Sequence, residues 1–205
     1  MKKIYFVIVS VMLLFSGATA KAQYGTGEKV LNTVEFIYSP VTLSANAGGV
    51  NLSFNLNAIG VDWTQSYSIM QEAPVYLLYG GTFQYSWGAE DFNDKGLKFF
   101  TVTIPLSIAY DFVVPQTNVS VLPYAGLNVY DHVVGKSGSA NLFDKDDMGG
   151  EPFEDFGIGW QLGAKVVYKN YILGVGYQGP ISNLYSNDSA KINLSQVNLS
   201  VGIRF

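Results

Sequence analysis

The residues with the most chemical capacity in this 205-residue chain are few. Its one histidine, His132, follows Asp131 and precedes Ser137 and Ser139. Histidine, an acid and a serine are the raw material of acyl transfer, in which the imidazole takes the serine proton and the acid orients the imidazole. Neighbouring residues of a strand point to opposite faces, however, so Asp131 cannot by itself orient His132, and a polar rim residue is the better reading. The densest acids come next: Asp144, Asp146, Asp147, Glu151, Glu154 and Asp155, with Gly149 and Gly150 among them. Oxygen ligands at this density could hold Ca²⁺. Lys145 interrupts the spacing and no glutamate closes the loop in the EF-hand manner. Asp144, Asp146, Asp147 and Glu151 are therefore weak calcium candidates, and the segment reads as a solvated acidic loop.

Other chemistries are excluded more simply. The chain has no cysteine, hence no disulfide, thiolate metal site or lipid-modified cysteine. Gly48-Gly49 and Gly80-Gly81 open no helix and cradle no phosphate. No metal or organic cofactor is expected. Removing Lys2, Lys3 and Lys21 with the first 22 residues leaves 9 basic against 16 acidic residues, a net charge of −7 with His132 neutral. So acidic a chain does not suit nucleic acid.

The elements that must position these residues are extended. Lys2 and Lys3 precede an apolar run from Ile4 to Phe15 and then small residues to Ala22, the layout of a cleaved secretory signal peptide over 1–22. Residues 23–30 read as a short periplasmic segment and 31–205 as one domain. That domain alternates with period two. At its end Val197, Leu199, Val201, Ile203 and Phe205 share one parity, and Gln196, Asn198, Ser200, Gly202 and Arg204 share the other. The pattern recurs over 31–42, 50–58, 75–87, 97–112, 119–131, 156–168 and 171–180. In 50–58 the apolar face is Val50, Leu52, Phe54 and Leu56, against Asn51, Ser53, Asn55 and Asn57. Eight strands with short turns alternating with longer polar loops predict an all-β fold: an eight-stranded antiparallel up-and-down transmembrane barrel, apolar face to lipid and polar face inward. An interior of this width is filled by its own side chains, here Gln84, Gln161, Lys165, Gln178, Gln196 and Arg204, with Glu35 as a candidate charge partner. Two aromatic rims are expected. Tyr110, Phe112, Tyr124, Tyr168, Tyr171 and Phe205 make the periplasmic one, and Tyr85, Trp87, Phe99, Phe100, Tyr130 and Phe156 the outer one.

Several segments carry a resemblance: 103–110 (TIPLSIAY), 122–130 (LPYAGLNVY), 155–164 (DFGIGWQLGA) and the ending VGIRF. Over residues 31–205 the chain resembles the outer membrane protein β-barrel (porin-like) domain common in Bacteroidetes, and is similar to small eight-stranded OmpX-like barrels. The resemblance implies a cell outer-membrane address in a Gram-negative envelope. It also implies that Val201, Ile203 and Phe205 form an assembly signal read by the barrel-assembly machinery. The functional expectation is a non-enzymatic barrel with a structural or interaction role. A narrow porin is the alternative, and a lipid-modifying enzyme a third reading. The expected partners are the outer-membrane lipid bilayer, the assembly machinery, and an extracellular or periplasmic protein.

Overall fold

A computed structural model describes residues 31–70, 73–90, 95–148, 152–186 and 190–205. The expected signal peptide and the segment 23–30 lie outside them. Eight long strands run antiparallel in chain order: β1 (Leu31–Ala47), β2 (Val50–Ser68), β3 (Val75–Gly88), β4 (Leu97–Tyr110), β5 (Val119–Ser137), β6 (Phe156–Tyr168), β7 (Tyr171–Pro180) and β8 (Ala190–Arg204). β8 pairs with β1 from Thr33↔Arg204 to Ala47↔Ala190, which closes the barrel and leaves no long strand with a free side. Three two-residue strands, Phe112–Val113, Ala140–Asn141 and Tyr185–Ser186, and one helical turn, Lys145–Met148, lie in the connections. The chain closes an even number of strands, so Leu31 and Phe205 meet at one end, where the Asn32 and Phe205 backbones exchange hydrogen bonds.

β1 and β2 are longer than the alternation at 31–42 and 50–58 suggests. They join through Gly48 and Gly49, whose φ values of 57° and 81° allow a two-residue turn matched to strand twist. At the end of the wall that holds Leu31 and Phe205, apolar residues face outward. Val34, Phe36 and Tyr38 on β1, Ile59 and Val61 on β2, Leu106 and Ile108 on β4, Leu173 and Val175 on β7, and Leu199 and Val201 on β8 are all exposed. From Tyr110 to Phe100 this band covers ten residue steps along β4, about 34 Å of strand at ~3.4 Å per residue. A tilt of ~40° reduces that to about 26 Å of height, the dimension of a bilayer's apolar layer.

Beyond Tyr38 and Ile59 the two faces exchange character. Outward positions become Thr42, Ser44 and Asn46 on β1 and Asn57, Asn55, Ser53 and Asn51 on β2. Inward positions become Val41 and Leu43 on β1, Leu56 and Phe54 on β2, Phe99 and Leu97 on β4, and Leu194 and Ile192 on β8. Phe54 and Leu56 of the apolar face of 50–58 thus point into the barrel, which corrects the outward orientation expected for them, while Val50 and Leu52 beside the hairpin turn are exposed. Strand alternation defines two faces but not which is inside. Here the strands extend past the apolar band, and the residues follow the rule for a water-soluble core. Phe99, Tyr124 and Tyr130, expected in the aromatic rims, also face inward.

Candidate functional site in the barrel interior

The interior is filled in layers, each supplied by inward positions at one height. Nearest the termini, Leu31, Leu78, Leu122, Val167 and Ile172 surround a cavity of ≈ 20 Å³ that Arg204 and Asp111 also line. No ion pair joins those two, and the buried Asp111 Oδ1 accepts no hydrogen bond.

Above them lies the charged layer. Lys165 on β6 donates to Glu35 Oε1 across the lumen, and its Nζ stands 4.0 Å from Asp62 Oδ2 on β2. Ser200 donates to Glu35 Oε2 at 2.7 Å and Thr33 to Oε1 at 3.3 Å. Asp62 accepts from Thr64 at 2.5 Å and Thr82 at 2.6 Å. Every carboxylate oxygen therefore has a partner, as burial requires. The Tyr124 hydroxyl lies against Gly163 and Gly176, where any side chain would collide with it, and its ring sits 5.9 Å from Lys165 Nζ. Two carboxylates facing one ammonium leave a formal surplus of one negative charge beside a cavity of ≈ 50 Å³.

The third layer is a row of glutamines. Gln161, Gln178 and Gln196 are direct cross-strand neighbours on β6, β7 and β8. Gln196 donates to Gln178 at 2.6 Å, Gln178 to Gln161 at 3.2 Å, and Gln161 to Ser107 at 2.7 Å. On the opposite wall Gln84 donates to Ser39 at 2.8 Å and Ser39 to Asn198 at 2.6 Å. Beyond this row a second cavity of ≈ 50 Å³ is bounded by Thr101, Asn128, Tyr130 and His132. His132 Nδ1 and Thr101 Oγ1 are 2.7 Å apart, and the ring packs against Phe99 and Tyr130. The Asn128 amide nitrogen points here without a protein partner. At roughly 10–15 Å³ per water, each of the two larger chambers has room for about four.

The last layer is the apolar core: Leu43, Leu56, Leu97, Phe99 and Ile192 from the wall, roofed by Leu142, Phe153 and Leu184 from the connections. Backbone bonds tie this roof down, from Leu142 to Gly135 at 3.0 Å, Phe153 to Leu142 at 2.9 Å and Glu154 to Leu184 at 2.7 Å. The loop after β5 is thus only partly the solvated segment its acids suggest, since its apolar residues anchor it over the barrel mouth.

No family model and no curated protein matches the sequence. Among solved structures the chain is similar to Ail, the attachment invasion locus protein of Yersinia pestis, at 12% identity over 86% of this chain and 99% of that one, with a TM-score of 0.47. It is similar to Neisserial surface protein A at 17% identity, 87% and 98% coverage and a TM-score of 0.47, and to the outer membrane enzyme PagL at 13%, 82% and 98% with a TM-score of 0.43.

The sequence-derived candidates separate clearly. Gln84, Gln161, Lys165, Gln178 and Gln196 meet in two adjacent layers, and Arg204 stands apart at the terminal cavity. Val201, Ile203 and Phe205 lie on the outer face beside β1 and are exposed. Asp144, Asp146 and Asp147 are exposed, and two of them serve the backbone: Asp144 Oδ1 accepts from the Asp146 amide at 3.0 Å and Asp147 Oδ2 from the Asn141 amide at 2.8 Å. Glu151 lies outside the described residues, among which no three acids or histidines converge. Asp131 lies across from Val102 and Phe156 on the outward face, opposite to that of His132. The sequence reading passes over Asp62, although it shares parity with Thr64 and alternates with Val61 and Trp63.

Proposed function

We propose that this chain is an outer-membrane barrel without enzymatic activity whose filled interior does not conduct, and whose role is structural or interactive at the cell envelope. The observation that carries the reading is the coincidence of two boundaries. The outer face turns from apolar to polar at the height where the inner face turns from polar to apolar. A wall in lipid up to that height and in water beyond it accounts for both. Leu31 and Phe205 then lie on the periplasmic side, and the roofed end with its acidic segment faces outward, where a protein partner would meet it.

Closure supports the non-conducting part. An ion crossing the lumen would have to break the Glu35–Lys165–Asp62 cluster, the glutamine row and the apolar roof in turn. Burial of His132 among aromatic rings, away from Asp131, speaks against an acyl-transfer centre on the outer wall. The outward exposure of Val201, Ile203 and Phe205 supports the reading that they are recognised during assembly. Planar-bilayer recordings of refolded protein test the proposal, with a flat baseline expected; reproducible unitary steps would favour the narrow-porin reading.

A further inference from the structure

We propose that the outer surface of β4 and β5, just beyond the apolar band, binds the phosphate of a membrane lipid headgroup. This inference rests on the membrane-spanning reading above. Lys98 and Lys136 are direct cross-strand partners, and both are exposed. Like charges opposed across a ladder repel, and among the described residues neither lysine has a carboxylate within 4.0 Å. The pairing is imposed by a bulge. The register shifts between Phe100↔Val134 and Thr101↔His132, which leaves Val133 as the extra residue. The extra residue reverses the alternation of β5 and turns Lys136 from the inner to the outer face.

The place of this pair bears on its ligand. Lys98 is also the cross-strand partner of Trp87, and the next outward pair toward the band is Tyr85 with Phe100. The Tyr85 and Trp87 rings stack at 5.9 Å. Such rings occupy the headgroup boundary, so the two ammonium groups stand at phosphate height with acyl chains able to run down the wall below. On three other strands the outward position just past the band is uncharged: Asn57 on β2, Pro40 on β1 and Ser195 on β8. The acid on the lysines' face, Asp131, is two outward pairs lower and buried. An otherwise acidic chain thus concentrates positive charge at one point of the headgroup ring, and a phosphate bridging the pair converts repulsion into attraction.

The test uses the refolded chain in phosphatidylcholine bilayers doped with lipid A, with retained lipid A read by native mass spectrometry. Wild type retains it. Lys98→Gln/Lys136→Gln weakens retention about 30-fold, on the basis of roughly 1 kcal/mol per basic residue at an anionic lipid surface. Lys191→Gln, on the outer face of β8, leaves retention unchanged, and excess inorganic phosphate does not displace the lipid. Equal retention by the double variant overturns the proposal, as does displacement by free phosphate, which would indicate a soluble-anion site. Heat-dependent gel migration of each variant reports the barrel separately, so its loss would indict the membrane reading rather than the lipid site.

Discussion

The wall around Leu106 and the wall around Leu56 belong to one continuous sheet and obey opposite rules. At Leu106 the exposed face is apolar and the enclosed face holds Ser107, Gln161 and the charged cluster. At Leu56 the exposed face is Asn55 and Asn57, and the enclosed face is a leucine-rich core under a roof of loop residues. Hydrogen-bonded backbone is common to both. What differs is the solvent each side must satisfy, so under the proposed reading the membrane boundary lies in the side chains rather than in the ladder.

Denaturant unfolding of protein refolded in vesicles distinguishes the two regions at specific positions. Lys165→Met strands Glu35 and Asp62 in the interior and costs about 3–5 kcal/mol. Adding Glu35→Gln recovers part of that loss, and a neutral single variant would mean the cluster is solvated. Phe99→Ala, which empties the distal core, costs about 3–5 kcal/mol; a negligible change would place Phe99 in water. Leu106→Arg in the apolar band costs about 2–4 kcal/mol in a bilayer and markedly less in detergent. Asn55→Lys, on the same sheet but past the boundary, stays within about 0.5 kcal/mol, and a cost like that of Leu106→Arg would move the boundary outward.

Much of the fold is legible in the sequence because period two survives along most of each long strand, broken at the Val133 bulge of β5, so strand positions from Val75 to Phe205 and the inward glutamines follow from parity. Polarity past the boundary is not legible in the same way. Phe54 and Leu56 alternate with polar residues just as Val197, Leu199 and Val201 do, and only the partner strands reveal that one set faces in and the other out. The roof is hidden for another reason. Leu142, Phe153 and Leu184 are isolated apolar residues in polar segments, with no periodicity to mark them. The Lys98–Lys136 pair depends on Val133 being extra, a shift visible only once β4 and β5 are in register. Lys165 with Glu35 was open to a parity argument, but Asp62 required β2 to run to Ser68.

The most direct test of the boundary is a scan along β2, which the absence of native cysteine makes clean. Single Asn55→Cys, Leu56→Cys, Ile59→Cys and Val61→Cys variants are labelled with a fluorophore, refolded in vesicles and exposed to a lipid-borne or an aqueous quencher. Labels at 59 and 61 should respond to the lipid quencher, the label at 55 to the aqueous one, and the label at 56 to neither. Lipid quenching at 55 or 56 would contradict the exchange of faces and, with it, the membrane boundary placed between Ile59 and Asn57.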